Sequence, residues 1–424
     1  MRHRNAPLSA LLSALLAGLL FPCGAQATNG YFADGYGSKG QGEGGVGIAL
    51  PQDALAAASN PAGIAFVGDR LDLGLTWFLP QRSAQIVGNA FGADASYSGD
   101  GLEDFFIPEF GYTKQLSNDL AAGVAIYGNG GLNTDYESNP YARFGAAGSA
   151  GVNLEQLFIT PSVAWRPAAD QSLGVGLNIA YQRFSAHGIG FFGGFSSSPA
   201  NVSDQGTDTS IGAGLRLGWT GSLAPGLTAG ATWASKVHGG FGNYRGLFAD
   251  GGQFDVPDDY GVGLAYRPAS AWTLAADVQR INYSHVAAVG DQIAPLLQGV
   301  ALGASNGPGF GWDNITVFKL GASFSLGPAT VLRAGYTHSG QPVPGSQTFF
   351  NILAPGVVQD TFTLGFTQSF AGGELSGFFA YAPSKTVSGS GSIPPGFPPA
   401  GFGGGEANVS LKETILGISY GWKL

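Results

Sequence analysis

From Leu71 to the last residue the chain repeatedly alternates apolar with small or polar side chains, and this pattern restricts its fold more than any other property. Successive side chains of a strand point to opposite faces, so a period of two marks strands with one apolar face. Leu71, Leu73, Leu75, Trp77 and Leu79 share a face, opposite Asp72, Gly74 and Thr76. Leu173 to Tyr181, Ile211 to Trp219, Phe318 to Leu326 and Phe362 to Phe366 repeat the pattern. Only 11% of residues are charged, against roughly 25% in an ordinary soluble domain. After the N-terminal segment no apolar run approaches the ~20 residues that a membrane helix needs. Low charge, no membrane helix and alternating strands predict an all-β chain, a transmembrane antiparallel β-barrel that turns its apolar face to lipid. Aromatic residues near strand ends on that face suit a membrane girdle; a secreted soluble β-protein is the alternative.

The connections alternate in length. Short turns are expected near 115–118, 167–170, 224–226, 268–270, 327–328 and 371–373. Longer segments lie around 82–103, 130–151, 187–208, 239–254, 285–311, 340–357 and 385–407. Six short turns and seven long loops imply about fourteen strands with both termini on the periplasmic side. The closing strand carries Leu416, Ile418, Tyr420, Trp422 and Leu424 on one face. Outer-membrane strands commonly end in an aromatic residue that the barrel assembly machinery reads; here the last residue is Leu424 and Trp422 stands two places before it.

Arg2 and Arg4 precede an apolar run, Leu8 to Leu20, and Ala25-Gln26-Ala27 forms a small-x-small cleavage pattern. Residues 1–27 therefore read as a secretory signal. The single cysteine, Cys23, falls within it, which removes disulfides and thiolate chemistry from the mature chain. The net charge of -9 becomes more negative once the two arginines are lost, and nucleic acid is excluded as a partner.

Residues 28–69 do not read as strand, and the barrel is assigned to 70–424. Glycine and small polar residues fill the first half of this N-terminal segment. Pro51 to Ala58 then reads as a short helix with proline in its first turn, ended at Asn60-Pro61. This segment is expected to be a partly helical plug, a hatch within the lumen, with Asn60, Pro61, Ala62 and Gly63 as the hinge to the first strand.

These features together resemble the FadL-type outer-membrane transporters of long-chain fatty acids and other hydrophobic compounds (OmpP1/FadL/TodX). A glycine-rich start leads into Asp53-Ala54 and Asn60-Pro61-Ala62, similar to the family's Asn-Pro-Ala in its hatch. The run from Gly123 to Leu132 looks like the third strand, which that family kinks inward. Trp272 to Val278 and Leu332 to Tyr336, the latter followed by Pro342-Val343-Pro344, look like two of its later strands. The resemblance implies capture of a hydrophobic molecule at the outer loops, passage to an internal pocket and lateral exit at the kink. It implies residence in the outer membrane of a Gram-negative bacterium, as a monomer in contact with outer-membrane lipid and lipopolysaccharide. Gly128, Asn129, Gly130 and Gly131 make the kink plausible, because glycine weakens a strand and favours a bulge. A glycine-rich strand end entering a loop is the plainer reading.

By alternation Arg216, Lys319, Arg333 and Asp277 face the lumen. The cations either anchor a ligand carboxylate or join a salt-bridge network that holds the hatch. The loops carrying Phe191, Phe192 and Phe195, and Phe397 and Phe402, are apolar where polar loops are usual. They form a capture surface or pack on one another. Gly35 to Gly40 spells a dinucleotide fingerprint without a strand before it. His187, His238, His285 and His338 lack metal-ligand spacing. No enzyme activity and no cofactor are expected. A surface adhesion protein using its loops, and a general porin, are the other functions open to such a chain.

Overall fold

The computed structural model describes residues 29–398 and 400–424; the expected secretory signal and Cys23 lie outside the described residues. Fifteen strands follow in chain order. They are β1 (Arg70–Val87), β2 (Ala95–Ser98), β3 (Phe105–Gln115), β4 (Leu120–Tyr136), β5 (Ala150–Ala168), β6 (Gln171–His187), β7 (Asp208–Ala224), β8 (Leu227–Ala234) and β9 (Asp259–Ala269). The rest are β10 (Trp272–Ile281), β11 (Ile315–Ser325), β12 (Thr330–Ser339), β13 (Asp360–Phe370), β14 (Gly373–Val387) and β15 (Glu406–Lys423). Sequential neighbours pair antiparallel, and β15 returns to β1 from Arg70↔Lys423 to Val87↔Glu406, so the wall closes. The short β2 pairs only with the outer end of β1 and stands outside this circuit, leaving fourteen strands in the wall.

The alternation is realised as an inverted protein. Leu73, Leu75 and Trp77 on β1 and Leu173, Val175 and Leu177 on β6 are exposed on the lipid face. Asp72, Thr76 and Arg82, on the alternate positions of β1, are buried in the lumen. Such an arrangement is stable only where lipid covers the outside. The connections keep the expected alternation, with tight turns such as Ala224 to Leu227 at one end and loops containing short helices at the other.

The N-terminal segment fills the lumen. It contains α1 (Gly37–Gln41), α2 (Ala56–Ser59) and a 3-10 helix, Pro61–Phe66. The expected helix over Pro51–Ala58 is thus shorter and later. The Ala54 amide is donated to Asp72 Oδ2 at 2.9 Å instead of to a helical carbonyl. A helix in Gly37–Gln41 has little support from propensity; contacts with the wall stabilise it, since the Gly37 amide and the Gln41 side chain both donate to Glu109 Oε1. Glycine lets the hatch backbone touch the wall: a Cβ on Gly335 of β12 would lie 2.0 Å from the Gly44 amide nitrogen.

Candidate functional site

The wall opens between β3 and β4. Hydrogen bonding between β3 and β4 ends at Phe110↔Ile126, while β4 stays paired with β5 as far as Tyr136↔Ala150. The β4–β5 register slips between Gly128 and Gly130. Beyond the slip, β4 pairs inward with the hatch: the Ala33 amide donates to the Asn129 carbonyl at 3.0 Å, and the Gly131 amide to the Tyr31 carbonyl at 2.9 Å. Near the outer end the segment after β2 joins β4 again, through the Gly101 and Asp135 amides. The gap between β3 and β4 is therefore bounded above and below. Gly128, Asn129, Gly130 and Gly131 lie at its edge, and Asn129 Oδ1 accepts from the Tyr36 hydroxyl of the hatch at 2.9 Å.

Above the hatch an apolar cavity with an open volume of about 40 Å³ lies among Phe184, Phe192, Phe248, Phe310, Phe350 and Leu353. Among the described residues no charged side chain lines it. Ring contacts connect it to the gap. Phe184 meets Phe248 at 4.8 Å, Phe248 meets Phe254 at 4.9 Å, and Phe254 meets Tyr31 at 6.3 Å, whose carbonyl is the one bound by Gly131. Tyr31 is further held by Tyr283 and Trp312, at 5.0 and 5.7 Å. Tyr31, Phe184, Phe248 and Phe254 are not among the residues expected from the sequence. The loop residues 239–254 carry four of the rings near this stack, Phe241, Tyr244, Phe248 and Phe254, and that density was the available signal.

The four lumen candidates all contact the hatch. Arg216 donates to the Ser59 carbonyl and pairs with Asp259 at 3.3 Å. Lys319 donates to the Asp34 carbonyl at 2.5 Å and to Gln279 at 3.1 Å. Arg333 donates to Gln52 and lies 3.5 Å from Glu43. Asp277 Oδ2 accepts the Gly47 and Ile48 amides at 2.8 and 3.0 Å and sits opposite Lys319 in the register. Asn60 caps the 3-10 helix and donates to the Trp219 carbonyl and to Thr220 of the wall. Pro61, Ala62 and Gly63 belong to that helix, which separates them from β1. Each of the four histidines pairs with a carboxylate near the outer rim, at Asp135, Asp255, Asp258 and Asp360.

Of the outer-loop aromatics, Phe192 and Phe402 are buried, and Phe191 and Phe195 are half-buried. They pack with Tyr141, Phe144 and Phe349 in one cluster; Phe191 and Phe402 stand 6.4 Å apart and Phe195 and Phe402 5.2 Å. Phe397 is 77% exposed and touches only Phe91 among the ring contacts.

Within the hatch, burial and then the neighbouring Asp72 push the Asp53 carboxyl up to about 6. A carboxyl whose folded value is raised weakens the folded state once it ionises: the cost is absent below 3.8 and complete above about 6. Asp53→Asn keeps the acceptor for the Leu55 amide and is expected to stabilise by up to about 3 kcal/mol at pH 7.5, at 1.36 kcal/mol per unit. Urea midpoints in detergent at pH 7.5 and about 3.5 test this; an equal gain at both would refute it.

The sequence profile described as "Outer membrane protein transport protein (OMPP1/FadL/TodX)" matches residues 21–375. The fold is similar to that of the Pseudomonas putida toluene transporter TodX, at 18% identity and a TM-score of 0.66 over 94% of this chain and 100% of that one. A Pseudomonas aeruginosa FadL homologue is similar at 15% identity and a TM-score of 0.67, over 93% of this chain and 99% of that one. The Ralstonia pickettii toluene transporter TbuX is similar at 16% identity and 0.63, over 92% and 98%. No curated protein sequence matches the chain. A profile match over most of the sequence, on a closed barrel plugged from its N-terminus, establishes that the chain belongs to the OMPP1/FadL/TodX family of outer-membrane transport proteins and resides in the outer membrane of a Gram-negative bacterium.

Proposed function

We propose that the protein carries neutral hydrophobic molecules inward across the outer membrane, holding them in the aromatic cavity and releasing them sideways through the gap between β3 and β4. The observation that supports this most is the cavity's lining, which offers rings and aliphatic groups but no cation. A fatty-acid carboxylate buried there would lack a partner, at a cost of several kcal/mol. Arg216, Lys319 and Arg333, the cations that could have served it, are engaged by hatch carbonyls, by Gln52 and Glu43 of the hatch and by Asp259 of the wall. In this reading they and Asp277 fasten the plug, and the exposed Phe397 with its aromatic neighbours receives the molecule from outside.

An open volume of about 40 Å³ is well below the ~150 Å³ of an engineered cavity that takes up benzene. A ring therefore enters only as Phe184 or Phe248 shifts, and the stack through Phe254 passes that shift to Tyr31 at the gap. Ligand binding and gating are thus one movement. Such transport is passive, and affinity for the displaced arrangement supplies the bias.

Uptake into cells lacking the gene, with and without a plasmid copy, tests the proposal. Toluene uptake is expected to depend on the plasmid and oleate uptake is not. Oleate uptake that follows the plasmid more strongly than toluene uptake would sink the neutral-ligand reading. Steady ion conductance of the wild-type protein in planar bilayers would favour a general porin.

A further inference from the structure

A second cavity lies beside the gap, and its polar atoms are unmatched. It is bounded by Gly131, Leu132 and Asn133, in the stretch of β4 that stays paired with β5 but has parted from β3, and by Phe78, Arg82 and Glu413 of β1 and β15. Glu413 is fully buried, and neither of its carboxylate oxygens has a hydrogen-bond partner. Arg82 is held by its other nitrogens, through the Asn133 carbonyl and side chain and the Leu102 carbonyl. Its Nε hydrogen-bonds to nothing; the nearest charge is Asp100 Oδ1 at 3.5 Å, longer than a charge-assisted hydrogen bond. Both side chains line this one cavity: Glu413 brings an acceptor with no hydrogen-bond partner among the described residues, and Arg82 a guanidinium whose Nε is engaged only by its ion pair with Asp100. Next to them Phe78, Phe105, Ile107, Phe378, Ala380 and Ile415 form a separate apolar cluster on the lumen face.

We propose that this cavity is a subsite for the hydroxyl group of an otherwise apolar molecule, a phenol or an aliphatic alcohol, on its way to the gap. A hydroxyl is at once donor and acceptor: it donates to Glu413 and accepts from Arg82 Nε. An ammonium would complete Glu413 but face the Arg82 guanidinium. A carboxylate would complete Arg82 but face Glu413, and a plain hydrocarbon would leave both atoms bare. The open volume of about 20 Å³ suits one oxygen, and the roughly 10–15 Å³ that a single water needs shows that no larger polar group fits. The body of the molecule then lies on the Phe78–Ile415 cluster. The cargo class is thereby narrowed from neutral hydrophobic molecules in general to include, and favour, those with one hydroxyl. This rests on the transport reading above.

The test uses the full-length protein in detergent and three probes of similar shape: 4-ethylphenol, 4-ethylanisole, whose oxygen cannot donate, and ethylbenzene. Equilibrium dialysis, corrected for partition into protein-free micelles, is expected to give 4-ethylphenol about a tenfold higher affinity than 4-ethylanisole, the worth of one well-made hydrogen bond. Glu413→Leu is expected to bring the ratio close to one, and Glu413→Gln, which keeps an acceptor oxygen, to retain most of it. A wild-type ratio near one would mean that the cavity holds water only and would overturn the subsite without reliance on any variant. A ratio that survives Glu413→Leu would overturn it as well. Failure of ethylbenzene to bind the wild type, with the phenol preference intact, would instead sink the neutral-hydrocarbon reading and leave the subsite standing.

Discussion

Replacing both Gly128 and Gly130 with valine is expected to lower uptake by more than tenfold while leaving a folded barrel. A Cβ on Gly130 would lie 1.6 Å from the Tyr31 carbonyl oxygen and 2.8 Å from its carbonyl carbon, both backbone atoms. A Cβ on Gly128 would lie 2.7 Å from the Ile107 side chain. One of the two partners at Gly130 must give way. Tyr31 is packed against Phe32, Phe254, Tyr283 and Trp312, and its amide bonds the Tyr283 hydroxyl at 3.2 Å. β4 has a free edge toward β3 above Ile126 and moves more easily. Two β-branched residues also favour regular extended strand over a bulge. The substituted β4 should swing back toward β3 and shut the gap. Heat-modifiable migration on gels checks the barrel, and radiolabelled toluene uptake checks transport; a folded variant with undiminished uptake would remove the gap from the transport path.

Loss of the Asp277 carboxylate is the second large effect, and it should appear as leakiness. Asp277 Oδ2 receives two consecutive hatch amides, those of Gly47 and Ile48, and the side chain is buried opposite Lys319. Asp277→Leu strands two buried N–H groups and leaves Lys319 without its nearest register partner. Removing one member of such a set costs about 3–5 kcal/mol, much of what can hold a plug segment in place. The barrel wall itself, closed by backbone hydrogen bonds between neighbouring strands and across the β15–β1 seam, should persist. Single-channel recording is expected to show conductance absent from the wild type, and protease should reach residues near Gly47 from the periplasmic side. Asp277→Asn keeps one acceptor oxygen and should leak less; equal leakage from both variants would assign the effect to charge alone.

The strands were legible because their pattern obeys a local rule. Each residue of β6 needs only its two neighbours to reveal its face, and the alternating long and short connections placed the strand ends. The hatch was not legible to the same depth. Gly37–Gln41 forms a helix because Glu109, some seventy residues away, accepts its first amide and the Gln41 side chain, and nothing in five glycine-rich letters announces that. For Arg216, Lys319 and Arg333 the alternation assigned a side of the wall. It was silent on whether hatch carbonyls or a ligand would meet them, because the partners Ser59, Asp34 and Gln52 lie far off in sequence. Glu413 could have been noticed: it falls on the lumen register of β15 between Leu411 and Ile415, an acid among apolar neighbours.

The closed seam between β15 and β1 also dictates an order of assembly. Hatch residues take partners from β1, β3, β4 and β7 and, across the lumen, from β10 to β14. The plug is the first part of the described chain to be synthesised, yet it remains without most of these partners until almost the whole wall exists. The seam, in turn, unites the first wall strand with the last. A plug gripped by amides and side chains from so many strands cannot be threaded into a finished cylinder, so it must be enclosed as the cylinder closes. Contacts this distant in sequence make folding slow, and the N-terminal segment, rich in glycine and poor in structure of its own, finds its full set of partners only when the last strand seals it in.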